Sequence, residues 1–125
     1  MTHIRLAAIA LACAMLLACS TQQAYSGAAR PAEEVALIKG DPKFRLTPVA
    51  AYLRSVDDRI LGDTQSSVQV LPGEHELVVD CVVTTSGDRQ RIRLQILVQA
   101  GERYRLEPQL VGANQACDTV RLVKE

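Results

Sequence analysis

Two stretches of strict alternation, placed back to back in the second half of the chain, constrain the fold more than any other feature. Leu77, Val79, Cys81 and Val83 alternate with Glu76, Val78, Asp80 and Val82. Ile92, Leu94, Ile96 and Val98 alternate with Arg91, Arg93, Gln95 and Leu97. A period of two places each set on one face of a β-strand. Thr84-Thr85-Ser86-Gly87-Asp88 lies between them, a polar turn with a glycine, so the pair is predicted to be an antiparallel hairpin. Face parity restricts the register. Cys81 opposite Ile92 satisfies it and sets Asp80 opposite Arg93 on the outer face, a pair worth a few tenths of a kcal/mol. A slip of one residue would turn the whole apolar set to water.

The rest of the chain carries weaker strand signals of the same kind. Val35 and Leu37, with Phe44, sit in short apolar stretches broken by Gly40-Asp41-Pro42. Val49 to Val56 is a further run, ended by the turn pair Asp57-Asp58. Ile60-Leu61 runs into Gly62-Asp63, Val68-Gln69-Val70 alternates, and Leu71-Pro72-Gly73 is a strong turn. Ala100-Gly101-Glu102 leads to Tyr104 and Leu106 as the next inward pair, and parity asks for an odd loop or a bulge, which Gly101 makes easy. Gly112-Ala113-Asn114 is a loop, and Val120 and Leu122 belong to a last strand. Short strands separated by turns predict an all-β fold, a small antiparallel β-sandwich over residues 33–125.

The N-terminus has the parts of an export signal: His3 and Arg5, an apolar run over residues 6–17, then the small residue Ala18. That run is too short to cross a hydrocarbon core of roughly 30 Å as a helix. It closes on Leu16-Leu17-Ala18-Cys19, which resembles the lipobox of bacterial lipoproteins. The resemblance implies that residues 1–18 are a cleaved signal helix and that Cys19 is the lipidated N-terminus. Each buried methylene contributes roughly 0.8 kcal/mol and stable anchoring takes more than one chain. The family's triple acylation implies an effectively permanent anchor. Ser20 stands where an Asp would imply retention in the inner membrane, so the implied location is the outer membrane, periplasmic side. Residues 19–32 are polar and small, and are expected to be a flexible tether spanning roughly 20 Å, with ordered structure from Glu33. The alternative is an ordinary secretory signal, with Cys19 a spare thiol and the product a periplasmic inhibitor or ligand-binding domain.

Composition narrows the function by exclusion. Lys and Arg number 14 and Asp and Glu number 14, so no basic excess points to nucleic acid. With the signal removed and Cys19 set aside, Cys81 and Cys117 remain, and an exported chain makes a leftover pair a disulfide. A loop of that size gives about 4 kcal/mol by chain entropy. Cys117 has the wrong parity for the inward face that Val120 and Leu122 define, which a loop position or a bulge before Thr119 resolves.

No set of residues rises to catalysis. His75 is the single histidine of the mature chain, and neither a C-x-x-C nor an H-x-x-x-H spacing joins it to the cysteines as a zinc set. Ser66, Ser67 and Ser86 lie in polar segments without a nucleophile elbow. Asp57-Asp58 and Glu33-Glu34 are neighbours in sequence and point apart on a strand, so they read as turn and edge residues. No enzyme, cofactor or metal is expected. The one unusual feature is basic. Arg89, Arg91 and Arg93 share the outer face of one strand, and Arg103 and Arg105 that of the next. On one exposed sheet these five would meet an anionic surface or an acidic envelope protein. The other reading is a solvated face balanced by Asp80, Glu76 and Glu107.

Two stretches resemble small Gram-negative outer-membrane lipoproteins of uncharacterised function. One is Tyr25-x-Gly27-x-x-Arg30-Pro31-x-x-Glu34-Val35-Ala36. The other is Leu71-Pro72-Gly73-x-His75-x-Leu77-x-Val79, followed by Ala100-Gly101-x-x-Tyr104-x-Leu106. The second is also similar to PEGA-type β-modules, in which a Pro-Gly turn opens a core strand. Asp57-Asp58 departs from the Asp-Gly hairpin usual in those modules. The resemblance implies an envelope location and a binding or structural role, and brings no catalytic residues with it.

Overall fold

The two alternating segments form strands β6 (Gly73–Val83) and β7 (Asp88–Val98), paired antiparallel along their full length. The structure, a computed structural model, describes residues 21–43 and 47–125. The signal segment, Cys19 and Phe44 lie outside the described residues. The hairpin register differs from the expected one by two residues: Cys81 faces Gln90, Val79 faces Ile92, and Asp80 faces Arg91, not Arg93. The cause is the turn. Gly87, at φ +74°, donates its N–H to the Val83 carbonyl at 2.9 Å, which closes the loop early and leaves Asp88 in the strand. A shift of two preserves parity, so Leu77, Val79, Cys81 and Val83 are still buried.

The remaining strands are β1 (Thr21–Gln23), β2 (Ala36–Lys39), β3 (Val49–Val56), β4 (Arg59–Ile60), β5 (Ser67–Val70), β8 (Arg103–Val111) and β9 (Ala116–Lys124). One sheet runs β4-β3-β6-β7 and the other β1-β5-β2-β8-β9. The pairings are mostly antiparallel, with β1–β5 and β2–β8 parallel. The sheets stack as an all-β sandwich, β9 packing on β6 and β7, and β8 on β3. Ile38, Val68 and Val70 from one sheet meet Leu53, Val56, Leu77 and Val79 from the other, all nearly inaccessible to water. Each such side chain contributes about 1.5–3 kcal/mol by its burial. Gly40 leaves β2 so close to β3 that a Cβ there would lie 2.9 Å from the Leu53 backbone nitrogen.

Turn chemistry sets the strand ends. Asp57 and Asp58 both have positive φ, 48° and 65°, and Val56 pairs with Arg59. This is a two-residue type I′ turn, whose twist matches that of the strands it joins. Two bulges adjust parity. Arg54 is extra in β3, between Leu53 opposite Val79 and Ser55 opposite Val78, so Val56 turns inward. Asp118 is extra in β9, between Thr119 opposite Gln109 and Cys117 opposite Leu110. That second bulge turns Cys117 to the interior, where it is disulfide-bonded to Cys81.

The fold begins earlier than the sequence suggests. Thr21–Gln23 is not a free tether but an edge strand, with Thr21 opposite Ser67 and Gln23 opposite Gln69. Tyr25 is buried, and its hydroxyl accepts the Arg30 N–H at 2.9 Å. Gln23 Nε2 donates to the carbonyls of Tyr25 at 3.0 Å and Gly27 at 2.8 Å. β1 itself is polar and is held by backbone and amide hydrogen bonds, which is why hydrophobic patterning passes over it.

Candidate binding surface

The arginines do not form one patch. Arg89, Arg91 and Arg93 stand on β7, while Arg103 and Arg105 stand on β8 in the other sheet. The chain crosses between sheets at the 99–102 turn, held by Gly101 N–H to the Val35 carbonyl at 2.8 Å and by Gln99 N–H to the Tyr104 hydroxyl at 3.0 Å. The outer faces of a sandwich look in opposite directions, so a flat anionic surface can meet one set or the other, not both. This corrects the expectation of five arginines on one sheet.

Most of these cations face carboxylates. On the β8 side, Arg103 and Lys39 each lie 3.5 Å from Glu125, and Arg105 and Arg121 lie 3.1 and 3.5 Å from Glu107. On the β7 side, Arg93 Nη1 donates to Glu76 at 2.8 Å. Arg91 Nε and Arg54 Nη1 donate to the two oxygens of Asp80, each at 3.1 Å. Asp80 has 5% of its side chain exposed, so this carboxylate owes its place in the sheet to the two guanidinium groups. The bulge at Arg54 aims that side chain outward over the neighbouring strand. The balancing carboxylates read from the sequence are therefore the ones in use: Asp80, Glu76 and Glu107.

Beside Asp80 the outer face carries a shallow groove of about 300 Å³, with Tyr52 and Ile60 as apolar walls and Lys43, Arg54 and Arg89 as cations. Lys43 Nζ donates to the Gly62 carbonyl at 3.1 Å, across the groove's rim. Gln22, three residues beyond Cys19 in the sequence, accepts the Gly62 N–H at 3.1 Å. The mouth of the groove thus lies beside the N-terminal strand.

His75 does not join the cysteines. Its Nδ1 lies 2.5 Å from Asp57 Oδ2 and its Nε2 lies 2.6 Å from the Leu71 carbonyl. Asp57 Oδ1 accepts the Glu76 N–H at 2.8 Å. Burial acts to raise the Asp57 carboxyl. The hydrogen bonds from His75 and Glu76 and the charges of His75 and Arg59 outweigh it, and the pKa sits below the ordinary 3.8. The imidazole is thus a strut that ties the type I′ turn to the start of β6 and the 71–72 connection, a role that sequence reasoning missed. No group of metal-ligating side chains assembles among the described residues.

Comparison with protein-family models, with curated proteins and with solved structures gives no match.

Proposed function

We propose that this chain is a lipid-anchored bacterial envelope protein with a non-enzymatic binding or structural role at the periplasmic face of the outer membrane. The observation that carries the reading is the Cys81–Cys117 disulfide in a chain whose export-type leader ends in Leu16-Leu17-Ala18-Cys19. A buried disulfide belongs to a chain that leaves the reducing cytosol. With Cys81 and Cys117 joined to each other, Cys19 is the remaining cysteine of a chain processed after Ala18. The arginine-rich outer face of β7 supplies the contact surface, and its partner is an anionic envelope component or an envelope protein.

The test is the intact mass and membrane fractionation of the full-length gene product beside Cys19→Ser. Loss of residues 1–18 with a gain of acyl chains, and loss of the variant from the membrane, is the expected result. An unacylated wild-type product in the soluble periplasm would overturn the anchor.

A further inference from the structure

We infer that the open edge of β7 is a strand-addition site for an extended protein segment in which apolar residues alternate with acidic ones. The inference deepens the reading of this protein as a binding module and rests on that reading. It begins with the sheet order. β7 has 11 residues and pairs only with β6 among the described residues. Every second residue along it therefore presents a backbone N–H and C=O without a ladder partner.

Edge strands are ordinarily blunted by shortness, proline, bulges or charged side chains. The other edges in this molecule follow that rule: β1 and β4 have three and two residues, and β9 carries the Asp118 bulge. Of these devices β7 has charged side chains alone. Its register with β6 is unbroken and its sequence contains no proline. Its inward residues are Gln90, Ile92, Leu94, Ile96 and Val98.

At one end of the hairpin the sheets are stapled: Asp88 Oδ2 accepts the Cys117 N–H at 3.0 Å, next to the disulfide. Towards the other end, between β7 and β9, lies an open cleft of about 420 Å³ lined by Leu94, Ile96 and Leu122 together with Gln95, Arg121 and Lys124. Leu97, at its rim, is 70% exposed. A strand laid along β7 would send the side chains opposite Leu94 and Ile96 into this cleft.

Charge selects the occupant. Among the described residues Arg89 has no carboxylate within bonding distance although it lines the groove beside Asp80, so it can turn to the open edge, and Arg91 and Arg93 bond towards β6 through one nitrogen each. A guanidinium has five N–H donors, so both retain donors for a strand on the open side. Residues of an added strand opposite Arg89, Arg91 and Arg93 are best served by carboxylates, and those opposite Ile92, Leu94 and Ile96 by aliphatic groups. A second copy of β7 would instead bring three more arginines to the same face.

The test uses the full-length gene product as the cell processes it, and the capped peptide Val-Thr-Leu-Glu-Val-Glu-Thr-Glu, which in antiparallel register sets its aliphatic residues opposite Ile96, Leu94 and Ile92 and its glutamates opposite Arg93, Arg91 and Arg89, beside its Glu-to-Lys counterpart. Binding is read by calorimetry and by backbone amide shifts. The expected result is binding of the glutamate peptide that weakens with salt, with shifts centred on residues 89–96. Arg89→Glu with Arg93→Glu leaves Asp80 its partners. This pair should weaken the glutamate peptide by about tenfold or more and favour the lysine peptide, since reversing two contacts converts attraction to repulsion. Ile96→Lys should abolish binding of both peptides. Binding of neither peptide by the wild type, equal affinity for both, or shifts centred on the Tyr52 groove would overturn the proposal. So would a dimer in sedimentation that Ile96→Lys dissolves, because the occupant would then be a second copy. A soluble, unacylated product that binds the glutamate peptide retains this site and discards the anchor; a membrane-bound product that binds neither does the reverse.

Discussion

Replacing the two arginines that hold Asp80 should destabilise the fold more than replacing Asp80 itself. The three groups are unequally placed. Asp80 exposes 5% of its side chain, whereas Arg54 and Arg91 expose 45% and 59%. In Arg54→Met with Arg91→Met, a carboxylate remains in a nearly dry site with neither of its charged donors. Removing the partners of a buried charge costs about 3–5 kcal/mol, and two lost charge-assisted hydrogen bonds at about 1.5–3 kcal/mol each give a similar figure. In Asp80→Asn, the arginines turn to water and an amide of the same shape fills the site, so the loss should be about 1–3 kcal/mol. The assay is equilibrium urea unfolding followed by far-UV circular dichroism. With a slope of about 1–1.5 kcal/mol/M for a domain of this size, the arginine pair should shift the midpoint by about 2–5 M and Asp80→Asn by about half of that. If Asp80→Asn is the more damaging change, the arginines are not the source of the carboxylate's stability and the reasoning fails.

Further outcomes follow from other parts of the molecule. Cys81→Ala with Cys117→Ala, or reduction of the wild type, should lower unfolding free energy by about 4 kcal/mol, measured by urea unfolding with and without reductant. Asp57→Asn keeps a side chain that tolerates positive φ and loses the charge facing His75; it should cost about 1 kcal/mol at neutral pH. The Asp57 carboxyl is held below 3.8, so its stabilisation is present above that pH and is lost as pH falls through the folded-state value. The difference between wild type and Asp57→Asn should therefore shrink in acid unfolding experiments, and a difference that grows there would contradict the assignment. Gly40→Ala places a methyl group 2.9 Å from the Leu53 nitrogen and 3.2 Å from the Ser66 carbonyl. Differential scanning calorimetry should show a lower Tm, corresponding to about 1–3 kcal/mol of overpacking.

Period-two patterning made the β6–β7 hairpin and β3 with its Asp57-Asp58 turn legible, because burial on one face writes itself directly into the sequence. What alternation reports is a face, and not which strand lies beside it. For that reason Arg103 and Arg105 could not be assigned to a sheet before the crossing at Gly101 was seen. Both bulges had left a trace. Leu53 and Val56, like Cys117 and Val120, are inward residues three apart, where an unbroken strand would space them by two. β1 left none, because Thr-Gln-Gln pairs through backbone and amide groups and buries little apolar surface. The contact between His75 and Asp57 joins residues 18 apart in sequence and depends on where the type I′ turn falls against β6.

The early start of the fold sets how an anchored domain would move. A coil over residues 19–32 would let the sandwich wander roughly 20 Å from its acyl chains. With β1 in the sheet from Thr21, two peptide units separate Cys19 from the ladder, a reach of at most about 7 Å. An acylated protein would then be mounted on the membrane rather than moored to it. Its β5-β2 flank would stay near the head groups, and its search for a partner would be confined to the thin layer that lateral diffusion sweeps.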